Sequence, residues 1–305
     1  MSDLHKVPIE IIDRAYDSFQ REGEFTKSLL NSFLEIYVRT NRVDRVENCL
    51  KAGADPNSYH EPERNDVNGE YSKMRYPILS LAYKIALVNN GDFRVPETIL
   101  AYNPDVNQFI ERHENDKIIK CGNPLFLLMS ANKDIDVTDQ VSLLVQHGAD
   151  VNIKKGGRWT PLSDANTGEK VHQLVKFGAD INYVTNDKWG KWNLLMIQVF
   201  NNNERMARWL LEEGINVDFV GKDDYLGSIS GTPYSPVDIF DFLAYINTTS
   251  RHEVSDPILE HFNRREEDRM KMRSSLLELI GFPEILVNKV VDYCKHPKYP
   301  MIRGN

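Results

Sequence analysis

Residues 143 to 152 read LLVQHGADVN, and residues 173 to 182 read QLVKFGADIN. In both, an apolar helical pattern stops at a glycine, which tolerates the left-handed backbone that ends many helices. Looser copies of the same ending are CLKAGADPN, finishing at Asn57, ILAYNPDVN, finishing at Asn107, and WLLEEGINVD, finishing at Asp218. In the second of these, Asn103 stands where the others have glycine, and asparagine is the usual substitute there.

Each ending is preceded by a helix-opening signal: YPILSLA near Pro77, GNPLFLL near Pro124, WTPLSDA near Pro161, WNLLMIQ near Leu194 and YSPVDIF near Pro236. At the third, the Thr160 hydroxyl suits an N-cap, and Pro161 suits the first helical turn because its missing N–H has no intrahelical partner. Every unit therefore reads as turn, helix, short loop, helix, glycine stop. Two short helices cannot bury their apolar faces alone, so neighbouring units are expected to stack.

These units resemble those of the ankyrin-repeat family, whose pattern runs Thr-Pro-Leu, paired leucines, then Gly-Ala-Asp-Val-Asn. The match is close at 160–182 and 143–152 and loose elsewhere over roughly 40–245. The resemblance implies an all-α fold: a solenoid over 41–245 with projecting fingers, closed by helical caps, of which the N-terminal one spans 1–40. Successive endings lie 50, 45, 30 and 36 residues apart, against about 33 for the family. Insertions near 58–76 and 221–234 account for some of the excess. In the first, Tyr59, Tyr71 and Tyr76 favour order and the charges favour disorder. The 30-residue unit, with SDANTGEK at its middle, predicts a shortened first helix. Ser163 replaces the family's histidine, so that internal hydrogen bond is expected to be lost.

Residues 256–305 predict a C-terminal helical extension. Asp256 caps a helix starting at Pro257 and stopping at Gly281, and FPEILVNKVVDYCKHP follows as a short amphipathic helix. This last segment resembles the first helix of an F-box, and poxviral and some intracellular bacterial ankyrin proteins carry such elements. The resemblance implies docking on a Skp-type ubiquitin-ligase subunit through Pro283, Glu284, Ile285, Leu286 and Val290. A plain capping role is the other reading.

The resemblance also locates a binding surface. In ankyrin proteins the residue before the threonine equivalent lies on the variable side of the finger. Here that position holds Tyr76, Gly122, Trp159, Trp192 and Tyr234. Large amphipathic rings in a row suit a protein interface, because they supply contact area at small entropic cost. Lys154, Lys155, Arg158, Lys188 and Lys191 surround the two tryptophans and suit an acidic or phosphorylated partner segment. The alternative is that the rings pack together and only stiffen the array.

Composition narrows the function classes. The chain has 305 residues, 41% of them hydrophobic, and a net charge of −8. Residues 264–305 hold nine Lys or Arg against six Asp or Glu, leaving the remainder at −11. That acidity disfavours a phosphate backbone and makes nucleic acid a poor partner. No apolar run is long enough to cross a bilayer, and the opening MSDLHKVPIEIIDR lacks the apolar stretch of a secretory signal. Cys49, Cys121 and Cys294 are odd in number and widely spaced, which suits a reducing compartment, the cytoplasm of the producing cell or of a host.

No Walker loop, Gly-x-Ser-x-Gly elbow, His-Glu-x-x-His or paired cysteines are present, so neither catalysis nor a metal or organic cofactor is expected. The polar clusters at HEPER near His60, ERHEND near His113 and CKHP near Cys294 are surface features on this reading. The chain is expected to be a noncatalytic scaffold that binds another protein through its ankyrin fingers and concave helices. The alternatives are a ubiquitin-ligase substrate adaptor acting as a pathogen effector, and an inhibitor of a basic enzyme or toxin.

Overall fold

The computed structural model describes residues 7–23, 25–60, 72–114, 117–185, 190–200, 203–216, 221–223 and 236–237. The chain divides into two compact units, Met1–Leu194 with Gly221–Pro236, and Leu195–Val220 with Val237–Asn305. The second presents α10 (Leu194–Phe200) and α11 (Glu204–Glu212). There the Asn203 side chain caps α11 by accepting from the Met206 N–H at 3.3 Å, and Gly214 ends it at φ 83°.

In the first unit, α1 (Ile9–Glu22) precedes four helix pairs: α2 (Lys27–Arg39) with α3 (Val43–Lys51), α4 (Ile78–Val88) with α5 (Arg94–Leu100), α6 (Pro124–Met129) with α7 (Thr138–Gln146), and α8 (Pro161–Asp164) with α9 (Gly168–Lys176). The first helices form a row, α2 against α4, α4 against α6 and α6 against α8, and each packs on its own second helix. α2, which the sequence reading gives to the N-terminal cap, therefore packs as the first helix of a pair. Their shared faces are apolar: Leu34, Tyr37, Val46, Leu79, Ile99, Leu125, Leu128, Val141, Leu144, Leu162, Val171 and Leu174 are all buried. The one-turn α8 is the shortened helix that SDANTGEK predicts. Ser163 does not leave its site empty, because its hydroxyl accepts from the Thr160 N–H at 3.3 Å.

The recurrent Gly-Ala-Asp-x-Asn ending has a physical reason at every letter. The glycine position is left-handed at Gly53, Gly148 and Gly178 (φ 100°, 88° and 90°), and Asn103 takes the same region at φ 51°. The next N–H then turns back: Ala54 donates to the Cys49 carbonyl, Ala149 to Leu144 and Ala179 to Leu174. Each of these alanines is buried. The aspartate closes a local turn, with Asp55, Asp105, Asp150 and Asp180 each accepting from the N–H of the asparagine two residues on, at 2.8–3.0 Å. That asparagine in turn reaches the next unit. Asn57 accepts from Asp105 N–H, Asn107 from Asp150 N–H and Asn152 from Asp180 N–H. The amides of Asn107 and Asn152 also donate to the carbonyls of Gly148 and Gly178.

This ladder fixes the register of successive units at one edge of the stack. Asn152→Ala removes both of its rungs, and urea denaturation is expected to show a loss of about 1–3 kcal/mol, since two partners are left to water or to nothing. Asn152→Asp, which keeps the acceptor and loses the donor, should fall between. Equal stability of both variants with the parent would show that the ladder contributes nothing.

The all-α expectation is corrected. β1 (Tyr59–His60), β2 (Ser72–Pro77), β3 (Ile110–Glu114) and β4 (Lys117–Gly122) form an antiparallel sheet in that order, so the architecture is mixed α/β. Its register sets His60 opposite Tyr76, Arg75 opposite Glu111, and Glu111 opposite Lys120, with a bulge after Ile110. The sheet joins the insertion at 58–76 to the segment before Pro124. The insertion reads in sequence as a long loop, ordered or disordered, and ERHEND as a polar surface cluster, whereas IERHE and KIIKCG have strand length and β-branched residues that suit a half-buried pleated surface.

Candidate protein-interaction site

The loop around Trp159 is closed by its own backbone. Lys155 N–H donates to the Trp159 carbonyl at 2.9 Å, and Trp159 N–H returns to the Lys155 carbonyl at 3.2 Å. Gly156 and Gly157 between them sit at φ 58° and 77°. A Cβ at either would meet nothing within 4 Å, so the backbone angle, not space, calls for glycine. The loop holds Trp159 half-exposed.

Trp192 is held by a different device. The Thr185 N–H and hydroxyl both donate to the Trp192 carbonyl, at 2.8 and 3.1 Å, and the Trp192 N–H donates to the Thr185 hydroxyl at 3.3 Å. Thr185 is buried, and Val184 bridges Asn193. Just before Trp192, β5 (Gly190–Lys191) pairs with β6 (Gly221–Asp223), which places the start of the second insertion beside this loop. Trp192 is half-exposed and Lys191 exposed.

Tyr76 lies in β2, half-exposed, stacked on the buried His60 at 6.4 Å between centroids. His60 Nδ1 lies 2.7 Å from a Glu35 carboxylate oxygen, which ties the strand to α2. Gly122 is buried at φ 149°, and a Cβ there would meet Phe126 Cβ at 3.2 Å. No aromatic ring fits at that point of the row. Lys188, Tyr234, Pro283, Glu284, Ile285, Leu286 and Val290 lie outside the described residues.

Two of these positions, Tyr76 and Trp159, carry cations on their rings, and neighbouring rings do the same. Lys84 Nζ lies 4.4 Å from the Tyr76 ring centre and donates to its hydroxyl at 3.1 Å. The Arg158 guanidinium lies 5.0 Å from Trp159, Lys154 4.5 Å from Tyr183, and Lys155 4.7 Å from Phe126. Lys155 also pairs with Asp164 at the end of α8. On the sheet, Arg75 caps Tyr59 at 4.5 Å and Lys120 caps Phe109 at 4.7 Å. Burial first, and then the Glu111 carboxylate, raise the Tyr59 phenol above its usual pKa.

A cation over a ring face is attracted by the ring quadrupole. At the half-exposed Tyr76, Trp159 and Tyr183 the surface thus offers rings and positive charge together, whereas Phe126 is buried. The signal for it legible in the sequence is the set of basic residues around Trp159 and Trp192.

Register puts His60 on the Tyr76 face of the sheet and His113 on the Arg75 face, where His113 and Arg75 share the Glu111 carboxylate at 3.1 and 3.2 Å. Among the described residues no group of three His, Cys, Asp or Glu is placed to hold a metal ion. Also among them, no helix is long and apolar enough to cross a membrane. No protein-family model matches the chain, and no curated protein sequence matches it.

Proposed function

We propose that this chain is a noncatalytic protein-binding module of ankyrin-repeat type, which engages an acidic partner segment through the loops that carry Trp159 and Trp192. The observation that carries this reading is the half-exposed Trp159 with Arg158 against its ring, beside Lys154 on Tyr183. Aromatic residues with arginine are the side chains most enriched where binding energy concentrates. Cations already positioned on rigid rings need little further ordering when a carboxylate or phosphate arrives.

A reducing, cytoplasmic setting accompanies the proposal. Cys49 is a fully buried free thiol, and burial above all pushes its pKa up to about 12, so it behaves as a small apolar side chain.

The test is the double variant Trp159→Ala/Trp192→Ala. Affinity for a partner recovered by proximity labelling in native lysate should fall by about 2 kcal/mol or more, with the unfolding midpoint held near that of the parent. Arg158→Ala and Lys154→Ala should each weaken binding less, and more so at low salt. Unchanged affinity together with a lowered midpoint would make the rings structural and end the reading.

A further inference from the structure

The four-stranded sheet ends at β4, and among the described residues no strand pairs with its outer side. The opposite edge is closed differently: β1 has two residues, and His60 is buried against Glu35 and Tyr76. β4 by contrast runs Lys117-Ile118-Ile119-Lys120-Cys121-Gly122. Ile118 is 59% exposed, one of the few large apolar side chains left in solvent among the described residues, and Lys117 and Lys120 are exposed on either side of it. A long free edge carrying an exposed isoleucine is a template for another strand unless something selects against pairing.

We infer that the outer edge of β4 receives an extended segment of a partner protein with the pattern acidic, apolar, apolar, acidic. In either strand direction such a segment sets an acid opposite each lysine and an apolar residue opposite each isoleucine. Opposite charges facing across strands stabilise the pair, and like charges facing destabilise it. Main-chain hydrogen bonds supply affinity and the alternating side chains supply selection. A second copy of this chain is the poorer occupant. Antiparallel pairing of β4 with itself in the register that sets Ile118 of one copy opposite Ile119 of the other faces Lys117 with Lys120 twice. The lysines therefore disfavour the chain's own edge in that register while admitting an acidic one.

This inference rests on the binding-module reading but uses residues other than Trp159 and Trp192. The experiment uses the full chain and a fluorescent ten-residue peptide with Glu-Val-Val-Glu at its centre and threonines flanking it, titrated by anisotropy. Saturable binding is expected. Lys117→Glu/Lys120→Glu should weaken it at least tenfold and create binding to the matching Lys-Val-Val-Lys peptide. N-methylating alternate amides of the peptide should abolish binding, because those groups make the strand pairing. Far-UV circular dichroism of the charge-reversed variant should match the parent, with a lowered unfolding midpoint because the new glutamates face Glu114 and Glu111 across β3; Lys117→Gln/Lys120→Gln, which sets no like charges together, should keep the parent midpoint and also weaken peptide binding.

No saturable binding at millimolar peptide, an affinity indifferent to charge reversal, or equal binding of the N-methylated peptide would each overturn the inference. So would sedimentation showing that the chain pairs with itself through β4. Loss of peptide binding on Trp159→Ala/Trp192→Ala, with none on charge reversal, would place the peptide on the loops; the edge would then fail and the module reading stand.

Discussion

Replacing Leu144 or Leu174 by alanine is expected to lower the unfolding free energy by about 2–5 kcal/mol. Both side chains are at 0% exposure, on α7 and α9. Each residue also contributes the carbonyl that accepts the returning alanine N–H, from Ala149 and Ala179. A cavity beneath either leucine therefore sits where the helix is stopped as well as where it packs. The half-buried neighbours Val145 and Val175 are the comparison, and their truncation should cost clearly less. Urea denaturation followed by far-UV circular dichroism measures all four. In a stack stabilised by nearest neighbours, amide exchange should also quicken in the helices on either side. Near-zero losses for both leucines would mean that the buried face of the second helices has been misassigned.

Those leucines were legible because the endings that follow them constrain the backbone so tightly. A glycine or asparagine that must be left-handed, a small residue that must be buried, and an aspartate and asparagine that must bond locally and onward leave few alternatives. Asn103 shows the logic at its limit, since it holds the glycine conformation with a side chain attached. SDANTGEK was legible for a similar reason: too few residues separate Pro161 from Thr167 for more than one turn of helix, and Thr167 caps α9 by accepting from Lys170 N–H at 3.3 Å.

The sheet was not legible by the same route. β1 and β2 pair across the insertion between them, and β2 pairs with β3 of the next unit, with Arg75 meeting Glu111. Local period cannot announce a pairing between segments so far apart in the chain. The cations over Tyr59 and Tyr183 share that origin. Arg75 is an ordinary surface residue in sequence and Lys154 reads as a neighbour of Trp159, and only the approach of strands and successive loops sets them on Tyr59 and Tyr183. Gly122 is the converse, a position that the row of finger residues assigned to the binding side and that packing against Phe126 fills.

Lys170 gives the second large expectation, in its dependence on pH. In sequence it is one more lysine on an amphipathic helix; in the structure it is 5% exposed. Its ammonium donates to the Met129 and Ala131 carbonyls, at 3.2 and 3.0 Å, and to Asn166 Oδ1 at 2.9 Å. It thereby satisfies carbonyls at the C-terminal end of α6, where a positive charge is favoured. Burial nevertheless pulls its pKa from 10.5 down to about 8. Below about pH 8 folded and unfolded chains both hold the proton, and the folded protein carries the whole cost of burying the charge. Between about 8 and 10.5 the unfolded chain binds more protons than the folded one, so stability rises with pH across that window. The full gain would be about 3 kcal/mol, at 1.36 kcal/mol per pKa unit. A neutral amine keeps only two N–H donors for these three acceptors, so the observed gain should be smaller. Lys170→Met, which cannot titrate, removes the contribution of every other group when its stability is subtracted from that of the parent. The difference between parent and variant should move in the parent's favour from pH 8 to 10.5. A flat difference would show that the three acceptors hold the charge in place against burial.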